Sequence, residues 1–546
     1  MKLNNLVIIG NNIESYISAL YFNGTLPNVN ITIIKTKNTV NQSVLTCKYD
    51  KKFFDHCGIS IEDLFRFCGA NVIYGNKFNH WKKGKDFYHP ISYNKIDIDK
   101  IVWPEKTEEE AELEEIDANT EKEKFSKNLS GSFYNKIFNE ESFIEFCNIY
   151  PTDDNVLYDI NMEEFSHLGL GLNIDYEQCL EFLLKKCAKN QSINIVEDND
   201  FRVEFNGFAY ITKIFCNNVT LDCDFVFDCS GAEKRVVKLT PDYEFWHLSF
   251  LSENKIVETV SATEYTAWNT LTPMLYGYSI SRSLQSKTVN SYVISDFGEQ
   301  DTLAAELEKT EKKYNPLQEI SIENGYIDKP WNKNLLCFGE SQFCLQTLNH
   351  FNFNFTCNQI ALFTSLCEES IEDITEFIVL DDETLLMKEI QFNEQVCNGI
   401  RELADFTFLH FFVDNDISVY WELHKENFNR DLSLDELAGQ VGSGGETMTL
   451  KTLLWSQQPI IYTTENSLIP LNEIDFLFLF EGLGILNKTA RRNALENNKI
   501  INFCSDENFD AIKQFLHNKK QNLLNKVILN KDFIIKNELS VDLQKN

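Results

Sequence analysis

The sequence predicts a mixed α/β (α+β) fold: a discontinuous parallel-sheet domain, a β-rich layer and a largely helical C-terminal part. Three observations carry that prediction. Leu6-Val7-Ile8-Ile9 is a short, apolar, β-branched run of the kind a buried parallel strand needs, and Gly10 ends it. Ile13, Tyr16, Ile17 and Leu20 then recur at helical spacing, and a second apolar run follows at Val29–Ile34. Two later apolar runs, Leu221–Asp228 and Lys333–Phe338, lead into glycine turns at Gly231 and Gly339.

Strand, glycine turn and helix at this spacing open a Rossmann-like, dinucleotide-binding βαβ unit. The chemistry of the turn is altered. The G-x-G-x-x-G fingerprint lets backbone approach a pyrophosphate, but its three glycine positions here read Gly10, Asn12 and Ser15, with Ile13 between. Asn tolerates positive φ better than most residues and Ser15 is small, so the turn can survive. The ribose-binding acid expected at the end of the second strand is replaced by Lys35. Weak dinucleotide affinity is expected, and the alternative is a Rossmann half kept as scaffold.

Beyond the second strand, Ser60 and Asp63 make a capping box for a helix near Phe53–Ala70. Aromatic alternation over Asn71–Pro90 predicts a hairpin. Thr107–Lys124 is charged and poor in apolar residues. Asp175 caps an amphipathic helix to Cys187, strands follow over Ser192–Val203 and Ala209–Phe215, and a helix begins at Asn358. The expected division is a discontinuous Rossmann-like domain (1–100, 165–235 and 330–370), an acidic exposed insertion (105–130), a β-rich substrate layer (240–330) and a mainly helical region (371–546).

Composition narrows the function classes. The 546 residues carry a net charge of −33, which disfavours nucleic acid and anionic membranes as partners. No apolar run reaches about 18 residues, so no membrane-spanning helix is expected. Met1–Gly10 is too short for a signal peptide. The 15 cysteines lack a C-x-x-C spacing and are expected as buried reduced thiols of a cytoplasmic protein. The nine histidines lack an H-x-x-x-H spacing, so no metal is expected.

Several segments together resemble the flavin-dependent tryptophan halogenases, a branch of the FAD-dependent monooxygenases. Lys77-Phe78-Asn79-His80-Trp81 and Asp86-Phe87-Tyr88-His89 are similar to K-F-x-N-W and H-F-Y-H. Phe227–Gly231 is similar to I-D-C-S-G, Trp268–Pro273 to W-x-W-x-I-P, and Gly277–Ser281 to G-Y-V-Y-S. Trp331–Asn334 leading to Gly339 resembles W-x-x-N…G. Asn393, Arg401–Phe406, His410-Phe411, Tyr420-Trp421 and Phe480–Gly484 continue the pattern in order over nearly the whole chain.

The resemblance implies FAD as cofactor, reduced by a separate flavin reductase, with halide and a small aromatic substrate such as an indole. It also implies a lysine that holds the oxidant and a glutamate that faces the cationic ring intermediate. A donor must polarise the oxidant and an acceptor must face the developing positive charge. Both positions are substituted. The lysine falls on Ile73, with Lys77 matching a second, non-catalytic lysine of the motif, and with a one-residue gap the glutamate falls on Asn349, next to His350. The W-x-W-x-I-P segment keeps Trp268 and Pro273 but has Thr270, and the flavin loop has no counterpart near Asn41–Leu45. Glu340 is the carboxylate nearest in sequence to the altered segment. Two main readings follow: a divergent halogenase or monooxygenase, or a catalytically inactive member kept as a ligand- or protein-binding module. A third is an FAD protein of another reaction class.

Overall fold

The structure, a computed structural model, describes residues 3–37, 42–82, 85–91, 148, 150–160, 169–248, 253–295, 317–345, 348, 351–368, 382–411, 418, 420–422, 424, 468, 471, 473–483, 506–537 and 539. The acidic segment expected at 105–130, together with Asn349 and His350, lies outside the described residues.

Strand β1 (Asn5–Ile9) is central because its four apolar side chains are buried on both faces. Helix α1 (Ile13–Thr25) follows, and strand β2 (Asn30–Lys35) pairs parallel to β1. The other edge of β1 takes Phe225–Asp228 in parallel register, Leu6 opposite Phe225 and Ile9 opposite Asp228. Leu335–Cys337 lies parallel beyond it, Trp331–Asn332 closes that edge antiparallel, and Ile193–Glu197 closes the β2 edge in parallel. The four runs read from sequence as parallel strands therefore share one six-stranded sheet.

The predicted hairpin forms, as Gly75–Lys82 against Lys85–Pro90, but it belongs to a different layer. It extends a seven-stranded sheet through a parallel pairing of Gly75–Lys82 with Trp268–Met274. The remaining strands of that sheet, Gly277–Ser283, Thr288–Ser295, Glu253–Ser261 and Gln318–Ser321, run antiparallel. Residues just before the hairpin, Asn71–Ile73, go elsewhere: they pair with Gly171–Asp175, which also holds Val44–Lys48. Gly75, at φ +154, makes that switch between layers.

The capping residues read from sequence are in place: Ser60 and Asp63 cap reciprocally, and Asp175 accepts the Gln178 N–H at 3.2 Å. One helix starts earlier than expected, at Phe351 instead of Asn358. Its first turns bury Phe351, Phe353 and Phe355 together with Asn354, so no polar face marks them as helical. The Asn354 side chain is satisfied by the backbone of Lys48, accepting its N–H and donating to its carbonyl, both at 2.8 Å. Further helices span Asp382–Leu409, Glu473–Leu483, Asp506–Leu524 and Asn530–Lys536. A short strand, Val527–Leu529, returns to pair with Val156–Tyr158. The described cysteines are free thiols, and most are buried. Among the described residues no helix is long and apolar enough to cross a membrane, and no cluster could hold a metal ion.

Candidate active site

The first half of the site lies at the carboxyl ends of the parallel strands, where open α/β sheets bind ligands. Gly10 sits directly against the turn that follows Phe225–Asp228. A Cβ there would stand 2.3 Å from the Cys229 carbonyl oxygen, so only glycine lets the two turns meet. Asn12 makes no use of its tolerance for positive φ; at φ −140 it is the extended N-cap of α1. Its side chain accepts the Ser15 N–H at 2.9 Å and donates to the Cys229 carbonyl at 2.8 Å, while the Ser15 hydroxyl accepts the Asn12 N–H at 3.2 Å. This reciprocal capping box uses donors that a G-x-G-x-x-G turn leaves to a phosphate.

The side chains around that turn complete the picture. Glu14 lies against Gly339, whose Cβ, if present, would stand 2.8 Å from Glu14 Cγ. Burial pushes the Glu14 carboxyl up, an effect its own backbone N–H partly offsets. The Ile13 N–H is directed at the hydroxyl of Tyr176, which also feels the charges of Glu14 and Glu340. Lys35 lies at the end of β2 and pairs with Glu197 of the neighbouring strand at 2.5 Å. Gly231 and Gly339 turn with φ +69 and +61 on either side of Asp228. A dinucleotide's diphosphate needs free N–H donors and little negative charge. The helix terminus presents capped donors and two carboxylates, so these residues do not fit it.

Asp228 is the residue here that the sequence motif marks without explaining. It is fully buried and accepts from Ser230 N–H (3.0 Å) and Oγ (2.6 Å), from Val236 and Val237 N–H (2.8 and 2.9 Å), and from Ser341 Oγ (3.4 Å). One carboxylate thus ties the 228–237 loop to the 339–341 turn.

The second half lies on the hairpin and its neighbour. Lys77 stands across from Thr270, and Gly75 from Trp268. Lys77 Nζ is 2.8 Å from Asp154 Oδ2 and 5.8 Å from the centre of the Tyr88 ring. Asp154 and Tyr88 hold its ammonium charged and raise its pKa against the opposing effect of burial. Trp268 is fully buried, donates to the Pro151 carbonyl at 2.9 Å and meets Tyr88 edge to face. Pro273 stands opposite Tyr278 further along the strand. Asn76 donates to the Leu348 carbonyl at 2.9 Å, which brings the segment before Asn349 to the hairpin.

Ile73 is apart from Lys77, opposite Gly171 in the three-stranded sheet. It is fully buried, and a Cβ on Gly171 would meet its Cγ1 at 2.9 Å and Ile91 Cδ1 at 2.1 Å. The two isoleucines fill the space over that glycine. Glu340 faces Tyr176 and Cys344, whereas the neighbours of Lys77 are Asp154 and Tyr88. A buried pair that the sequence did not flag, His89 Nε2 and Asp475 Oδ1 at 3.1 Å, lies across the strand from Asn76. Burial, then His89, pushes the pKa of nearby His410 down to about 3, so its imidazole is neutral.

No curated protein matches the sequence. Among solved structures, a flavin-dependent halogenase from Xanthomonas campestris, Xcc4156, is similar with a TM-score of 0.74 at 13% identity, covering 98% of each chain. A tryptophan halogenase from Shewanella frigidimarina gives 0.72 at 13% identity, over 99% of this chain and 98% of that one. The tryptophan 6-halogenase SttH from Streptomyces toxytricini gives 0.70 at 13% identity, over 98% and 100%. At such identities the likeness shows the fold. The tryptophan halogenase family model matches residues 5–466, and with that the chain belongs to the tryptophan halogenase family.

Proposed function

We propose that this chain is a flavin-dependent halogenase-like protein that has lost the family's tryptophan halogenation and keeps the fold as a ligand- or protein-binding module. The observation that carries the reading is the position of the oxidant-holding lysine. The motif order assigns it to Ile73, which can neither donate a hydrogen bond nor form a chloramine and lies over Gly171 with Ile91. The nearest lysine of the motif, Lys77, is committed to Asp154. With a one-residue gap, the motif order places the glutamate on Asn349, an uncharged amide. Loss of one preorganised electrostatic contact of this kind lowers a rate by roughly 10²–10³.

The family is flavin-dependent and acts on aromatic substrates. For this chain a small aromatic ligand such as an indole is the ligand class we favour, supported by membership of the tryptophan halogenase family. A cytoplasmic setting is supported by the buried free thiols. The test is an assay with tryptophan, indole and small phenols, supplying FAD, a flavin reductase, NADH and bromide. No halogenated product above the protein-free control is expected. Robust product from the wild type, lost in Lys77→Ala or Glu340→Gln, overturns the proposal and shows that the chemistry has moved to those residues.

A further inference from the structure

The geometry points to Glu14 as a built-in plug of the nucleotide crevice: the chain fills with its own side chains the place where a dinucleotide's diphosphate would sit, and removing them reopens it. The inference concerns the helix terminus, independently of the hairpin on which the loss of halogenation rests.

The argument starts from the donors. The N-terminus of a helix attracts an anion because its first N–H groups lack partners and the helix dipole points its positive end there. In α1 the Asn12 and Ser15 N–H groups are taken by the capping box, at 3.2 and 2.9 Å. The Asn12 side chain is fixed from the far side by its bond to Cys229. None of these groups needs an external anion.

The space is treated in the same way. The crevice is bounded by α1 on one side and the Gly339–Ser341 turn on the other. Glu14 Cγ reaches to where a Cβ of Gly339 would stand, 2.8 Å away, so the side chain bridges the two walls. Glu340 adds a second carboxylate beside Tyr176. A diphosphate entering here would meet two acids and would have to break the capping box. Glu14 therefore fills, with its own side chain, the space an anion would take at the positive end of the helix.

The test uses the full-length chain, with FAD as probe and ADP as a second diphosphate, read by flavin fluorescence and calorimetric titration. Wild type is expected to show no saturable binding in the micromolar range. Glu14→Ala should open the crevice. Asn12→Gly with Glu14→Ala should free the Ser15 N–H as well and tighten FAD binding by roughly tenfold to a hundredfold over wild type. Glu14→Gln keeps the bulk and should stay closed. Circular dichroism checks each fold, and Glu14→Ala alone carries the test if the double variant unfolds. Submicromolar FAD binding by the wild type overturns the proposal. So does a folded Glu14→Ala protein that binds no tighter than wild type. A Glu14→Gln protein that opens as far as Glu14→Ala overturns its steric part. FAD binding is read without turnover, so a failure here is distinct from product in the halogenation assay.

Discussion

Removing the carboxylate of Asp228 should destabilise the nucleotide end of the molecule more than any conservative change of its charge. Asp228→Ala leaves three buried backbone N–H groups, those of Ser230, Val236 and Val237, without the oxygens that now lie at 3.0, 2.8 and 2.9 Å. The hydroxyls of Ser230 and Ser341 can rotate to other acceptors; the backbone groups cannot. Each stranded N–H costs roughly 1–3 kcal/mol, and partial relaxation of the loop brings the sum to about 3–5 kcal/mol. Asp228→Asn retains one acceptor for the Val236–Val237 pair and should cost about 1–2 kcal/mol. Urea unfolding followed by tryptophan fluorescence gives the two numbers, and amide exchange at Val236 and Val237 locates them. The reasoning fails if the alanine variant lies within about 1 kcal/mol of wild type, or if asparagine is as damaging as alanine.

Two further outcomes follow from the same region. The Glu14 carboxyl is raised above its ordinary value of 4.5 by burial. The folded state therefore holds its proton to higher pH than the unfolded state, and stability falls as pH rises above about 4.5. Glu14→Gln should remove this slope, gaining on wild type as pH climbs toward neutrality and matching it below about 4.5; a stability difference that does not change with pH would refute the assignment. Gly10→Ala places a Cβ 2.3 Å from the Cys229 carbonyl at φ +155, so it should cost about 2–4 kcal/mol and lower the yield of soluble protein, checked by expression and thermal melts.

The parts of the fold that were legible in the sequence are those whose signal is local. β1, α1 and β2 show as an apolar run, a 3.6-residue period and a second run, and the caps at Ser60 and Asp175 need only residues three positions on. The start of the helix at Phe351 was not legible, because a segment buried on all sides loses its amphipathic period. The site was legible as a motif order and illegible as a set of partners. Lys77 could be named from K-F-x-N-W, but its bond to Asp154 joins residues 77 apart in sequence. Glu14 occupies a variable position of the fingerprint and carried no signal. Its meaning depends on a turn at Gly339, from a distant part of the chain. Asn12 stands at a glycine position of the fingerprint, but its hydrogen-bonding side chain makes it a cap.

The central place of β1 has a consequence for how the chain is made. One edge of the strand finds β2 soon after it is made, with Asn5 pairing with Asn30. Its other edge waits for a partner near Asp224, 219 residues downstream of Asn5. At cellular elongation rates of about 5–20 residues per second, that wait lasts about 10–45 seconds. Throughout it, Leu6-Val7-Ile8-Ile9 presents an unpaired, apolar strand edge, the kind that recruits other nascent chains. Chaperone supply and slow, cool expression should therefore govern soluble yield. A recombinant fragment that stops before Phe225 would keep that edge open permanently and should aggregate.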